Sequence, residues 1–117
     1  MAAPNIVGVT TITGRTAVQI VTTSPTAIVT NSASSGQVLK VNALYISNVD
    51  GTNSSDITLD LYRSGVAYRL GLTIIVPADS TLDFISKSIY LEEGDSLRLT
   101  ASLNLDLEAV CSYEVIS

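Results

Sequence analysis

The chain has no histidine, no tryptophan, a single cysteine and a single phenylalanine, and only 15% of its 117 residues are charged. Without histidine neither a Ser-His-Asp nor a Cys-His nucleophile can be built, and the commonest zinc ligand is missing. One cysteine excludes an internal disulfide framework. Cys111 sits mid-segment on an apolar parity with no basic neighbour to stabilise a thiolate, so it reads as a buried thiol rather than a nucleophile. Paired carboxyls acting on a sugar normally stand between aromatic walls, which five Tyr and one Phe hardly supply. No catalytic residue is assigned, and the chain is not read as an enzyme.

Positive charge is scarce too. Six Lys and Arg against eleven Asp and Glu leave a formal charge of -5, and the basic residues are scattered. A nucleic-acid face would need them concentrated, so no nucleic-acid partner is expected. Residues 1–13 lack the positive start and long apolar run of a secretory signal, and no window has the length to cross a bilayer, so no membrane partner is expected either. Asn53-Ser54-Ser55 fits a glycosylation acceptor, but without a secretion route it reads as part of a turn.

What the chain does have is 46% hydrophobic residues set among many Ser and Thr. Thr and the β-branched apolar residues suit strands, and Ser suits turns. Apolar and polar residues alternate over 37–49, 57–63, 66–76, 96–102 and 107–116, with shorter extended stretches at 6–13, 16–22, 27–30, 81–85 and 89–91. Gly14 is expected to end the first of these, and Ser64-Gly65, Pro77 and Glu92 to Asp95 to mark turns. The spacing predicts one all-β domain, an antiparallel sandwich or small barrel with little or no helix.

The segment 38–63, VLKVNALYISNVDGTNSSDITLDLYR, reads as a central hairpin. Its first arm changes phase: Leu39 and Val41 share one parity, Leu44 and Ile46 the other. A bulge near Asn42 or Ala43 would put all four on one face. Ile57, Leu59, Leu61, Leu97, Leu99 and Cys111 are expected in the core. Residues 1–14 form an N-terminal arm or edge strand and 15–117 the sandwich. The arm has the pattern least committed to its own core, and Ile6, Val7 and Val9 are its candidate attachment residues.

Asp50, Asn53 and Asp56 crowd one loop, and Glu92, Glu93 and Asp95 another. Calcium prefers such oxygen ligands, but neither loop has a ligand-loop spacing and both match ordinary turn chemistry. No metal or cofactor is expected. The five tyrosines, Tyr45, Tyr62, Tyr68, Tyr90 and Tyr113, are read as rim residues whose hydroxyls reach water, with a sugar-binding surface as the other reading.

Three segments together carry a resemblance: NVDGTNSSDITLDLYRSG, VPADSTLDFISKSIYLEEGDSLRLTAS and the terminal DLEAVCSYEVIS, with the opening MAAPNIVGVTTITG. This layout resembles small virion structural proteins of tailed bacteriophages of the marine and cyanobacterial type. The resemblance implies a jelly-roll or immunoglobulin-like β-sandwich, made in the host cytoplasm and placed on the capsid surface. It further implies a decoration or cement protein whose partners are the major capsid protein and itself, as a homotrimer. A neck, tail or fibre component of the same particle and a carbohydrate-binding adhesin module are the alternatives.

Overall fold

The computed structural model describes residues 7–117, and within them nine strands form two stacked antiparallel sheets with no helix. The strands are β1 (Ile12–Ile20), β2 (Thr26–Thr30), β3 (Val38–Asn48), β4 (Ser55–Arg63), β5 (Val66–Val76), β6 (Thr81–Asp83), β7 (Ile89–Leu91), β8 (Ser96–Ala101) and β9 (Leu107–Ile116). One sheet runs β1-β9-β3, with β6 and β7 each paired to a different stretch of β3. The other runs β2-β8-β4-β5. The all-β sandwich expected from the alternation is the architecture found.

The inner faces meet in one apolar core containing Leu39, Val41, Leu44 and Ile46 from β3, Ile57 and Leu59 from β4, Leu97 and Leu99 from β8, and Leu107, Ala109 and Cys111 from β9. The phase change in β3 is resolved as expected. Its register against β9 shifts between Val41 and Ala43, so the side chains on both sides of the bulge point inward. Leu61 departs from expectation. It is half-buried and packs at the margin of the core, because β4 nears its turn there and emerges from between the sheets.

The central hairpin is not a hairpin. β3 pairs with β9, β6 and β7, whereas β4 pairs with β5 and β8 in the opposite sheet. Both arms carry an apolar face, and two such faces can be buried either side by side or face to face across the core. Alternation is the same in both cases. The loop between them therefore crosses from one sheet to the other, and buried Asn48 holds it: Nδ2 donates to the carbonyls of Asn53 at 3.0 Å and Val76 at 2.9 Å, while Oδ1 accepts from the Asp50 amide at 2.9 Å.

The tight hairpin is β4–β5, closed by Ser64 and Gly65 at φ 53° and 77°. Two residues in the left-handed region give the turn whose twist matches antiparallel strands. Further along, the β4–β5 register breaks twice, and Thr73 has φ 46°. A Cβ on Gly71 would lie 2.6 Å from Ile74 Cδ1 and 3.0 Å from Leu59 Cδ1, so the missing side chain is what lets Ile74 turn inward beside this bulge.

Gly14 does not end a strand. It lies inside β1, opposite Glu114, in a ladder with β9 that runs unbroken from Ile12↔Ile116 to Ile20↔Glu108. The boundary expected after residue 14 therefore falls within a sheet strand. Residues 10 and 11 are also tied to the sandwich, since both amides donate to the Ser117 carbonyl, at 2.9 and 3.0 Å, and the Ser117 amide donates back to Thr11 at 2.9 Å.

Candidate interaction surface

The acidic loops are held from within. Asp50 accepts from the amides of Thr52 and Asn53 and from the Asn53 side chain, and the Thr52 amide is the main reason its pKa lies below the ordinary value. This is a side chain closing its own turn. In the second loop Arg63 reaches over from the end of β4. Its Nε donates to Asp95 Oδ1 at 2.7 Å, and its Nη2 donates to Asp95 Oδ2 at 2.6 Å and Glu92 Oε2 at 2.8 Å. Asp95 also receives the Glu92 amide at 2.8 Å, and Glu93 receives the Gly36 amide at 3.0 Å. Buried Asn31 links this loop to its neighbour by donating to the carbonyls of Gln37 and Leu91. Among the described residues no group of three or more His, Cys, Asp or Glu side chains is arranged to hold a metal ion.

The Arg63 guanidinium holds the Asp95 carboxyl below the ordinary range, and Asp95 raises Arg63 in return. Because the folded value of Asp95 is the lower one, its contribution is fully present above the unfolded carboxylate value and disappears as pH falls through the folded value. Stability is expected to decline below about pH 4. In Asp95→Asn the loss between neutral pH and about pH 3 should shrink, as read from denaturant midpoints. Equal acid losses in both proteins would show that Asp95 is not a source of the decline.

Cys111 lies in the core, where burial pushes its thiol up to about 11. The five tyrosines do not converge: Tyr45 and Tyr90 are exposed on β3 and β7, Tyr68 on β5, while Tyr113 packs at the core margin. Tyr62 lies under Arg98, whose guanidinium carbon is 3.9 Å from the ring centroid. That arginine also binds Asp60, a carboxylate buried on the outer side of β4: Arg98 Nε donates to Oδ1 at 2.9 Å and Arg69 Nη1 to Oδ2 at 3.3 Å. Alternation places Asp60 outward but says nothing of the two arginines that close over it.

The chemistry-bearing groups are thus engaged with one another, and the notable exposed groups are apolar. On one outer face Val18 of β1, Val110 of β9 and Tyr45 of β3 stand side by side in register, and Val18 is 75% exposed. Next to them, Val18, Gln19, Ile20, Glu108, Ala109 and Val110 line a shallow depression of about 440 Å³. At the far edge of the other sheet β5 exposes Val66, Tyr68, Leu70, Leu72 and Ile75. The first four share a parity in the sequence, but Val66 and Tyr68 lie beside Arg63 and Leu61 where β4 leaves the core, and beyond Arg69 the register shifts break that parity.

Of the candidate attachment residues, Ile6 lies outside the described residues, Val7 is 91% exposed, and Val9 is half-buried. The two apolar surfaces escaped the sequence reading because an apolar residue on a strand carries no mark of whether its sheet face will be covered.

No family model matches this chain, and no curated protein matches it. Among solved structures the fold is similar to a chain from the structure described as "Bacillus endospore appendages form a novel family of disulfide-linked pili", with a TM-score of 0.54 over 90% of this chain and 85% of that one. Sequence identity is 15%, so the likeness is one of fold.

Proposed function

We propose that this chain is a non-enzymatic structural subunit that works in many copies, held to its neighbours by the apolar surfaces of its sandwich. The observation that carries this is the row Val18, Val110 and Tyr45 on one sheet together with the exposed side chains of β5 on the other. Monomeric proteins rarely leave such surfaces uncovered, and multiple weak contacts sum into a strong attachment when subunits are arrayed.

The sequence resemblance supports the decoration of a tailed-phage capsid, with the major capsid protein as partner and a trimer as the functional unit. Val7 and Val9 precede the first strand and are the candidate contacts of this arm with a neighbour. The fold likeness to a pilus protein favours a second reading, a filament subunit, because heterologous contacts that do not close produce open fibres. A filament of this chain would not be linked by disulfides, since its one cysteine is buried in the core. A glycan-binding module has less support, as the tyrosines are dispersed over both sheets.

Quantitative mass spectrometry of purified particles and filaments from the source culture tests the proposal. Many copies per capsid support decoration, and enrichment in filaments supports the second reading. Recovery of the chain only as a free monomer, in neither fraction, would overturn both.

A further inference from the structure

We infer that the open edge of β1 is a self-pairing surface: two copies of this chain join their β1 strands antiparallel about a twofold axis, with Thr16 opposite its own counterpart. The inference rests on the reading above that the chain works in many copies, and it names one surface that would join them.

The backbone geometry defines what this edge offers. Thr11 and Ser117 exchange both of their N–H···O bonds, and the Val21 amide donates to the Leu107 carbonyl at 2.9 Å. In an antiparallel ladder such pairs recur at every second residue, so the odd residues of β1 bond to β9. The even residues, Ile12, Gly14, Thr16, Val18 and Ile20, therefore turn their N–H and C=O groups to the side on which, among the described residues, no strand pairs with β1. Their side chains share the outer face, where Ile12, Val18 and Ile20 are all more than half exposed.

An open row of this kind is a template for another strand, and natural edges are commonly blunted by bulges, prolines or several charges. β1 has no register break against β9, no proline, and Arg15 as its one charged residue. The other described edges are less suited to pair along its whole length. β2 has five residues and a register shift, and its Ala27 carbonyl already accepts from Gln19 Nε2 at 3.0 Å. β5 carries two shifts, and β6 and β7 have three residues each. The matching edge for β1, in length and regularity, is a second β1.

Full overlap of two nine-residue strands sets Thr16 on Thr16, Gly14 on Val18 and Ile12 on Ile20. All of these are even residues, so each of these pairs has its backbone groups turned toward the other copy and alternates with non-bonded odd pairs, as an antiparallel ladder requires. Apolar Ile12 and Ile20 meet, Val18 finds the space beside a glycine, and Arg15 faces Ala17 rather than another charge. The contact is isologous and closes as a dimer. It also brings the Val18 and Val110 patches of both copies onto one continuous sheet face.

The self-opposed position gives a direct test on the full chain. Thr16 is exposed, so Thr16→Glu and Thr16→Lys should fold as the parent does, which far-UV circular dichroism checks. In sedimentation velocity the parent should approach twice the 12.3 kDa chain mass as concentration rises. Each variant alone places like charges face to face and should dimerise roughly tenfold more weakly or worse, whereas an equimolar mixture should recover the dimer as a Glu–Lys pair. A monomeric parent over the whole concentration range, variants that associate like the parent, or a mixture that stays monomeric would each overturn the inference. Finding the chain in particles or filaments despite such a result would leave the proposed function standing and remove this edge as its contact.

Discussion

Truncating Leu99 to Ala should lower the free energy of unfolding by about 2–5 kcal/mol, the range for deleting a leucine that fills a closed core. Leu99 is fully buried in the middle of β8, a strand flanked by β2 and β4, with Thr26 opposite on one side and Leu59 on the other. Strands on both sides prevent the backbone from collapsing into the space left behind. A domain of this size has a total stability of roughly 5–15 kcal/mol, so the variant would lose a large part of its margin and melt roughly 10 °C lower or more. Guanidinium unfolding monitored by circular dichroism measures the change. A loss below about 0.5 kcal/mol would mean that Leu99 does not fill a closed core.

The second large effect is expected at Asp60. Its carboxylate is buried on the outer side of β4, between Arg98 at 2.9 Å and Arg69 at 3.3 Å, and Arg98 is itself stacked on Tyr62. Replacing Asp60 by Ala removes the acceptor and leaves the guanidinium of Arg98, only 21% exposed, without its counter-charge. Breaking one partner of a buried pair costs about 3–5 kcal/mol, and the half-exposed Arg69 loses little because water screens it, so a value near the lower end is expected. A double-mutant cycle with Arg98→Met separates the pair from its surroundings. If Asp60→Ala cost as much in the Arg98→Met background as in the parent, the Asp60–Arg98 contact would contribute nothing of its own.

These two residues also mark how far the candidate surface was legible. Leu99 was readable as core because Leu97, Leu99 and Ala101 recur at the period of a strand. Asp60 was readable only as outward, since its arginines come from β5 and β8. The apolar surface was harder still. Val18 and Val66 look in sequence like core residues on a strand, but Val18 lies on the outer face of its sheet beside Val110, and Val66 sits beside the β4–β5 turn at the margin of the other sheet. Residues 6–9 carry only a weak strand pattern in the sequence, and the regular backbone row of β1 begins at Ile12.

Local chemistry was enough for the strand positions from β2 onward, for most turns and for the direction of most side chains, though not for the run of β1 through Gly14. Each of these depends on a residue and its near neighbours: alternation at β8 and β9, two left-handed residues at Ser64 and Gly65, and a phase change at Val41 to Ala43 that demanded a bulge. Partnership was not contained there. Strand alternation states which face of a strand is apolar and leaves open which strand lies beside it, so β3 and β4 looked like a hairpin although they face each other from opposite sheets. Only the tertiary structure decided that crossing, the closure of two arginines over Asp60, and the position of β1 at an open edge. Each is a relation between segments far apart in the chain, set by the global packing of two sheets rather than by the residues of any one of them.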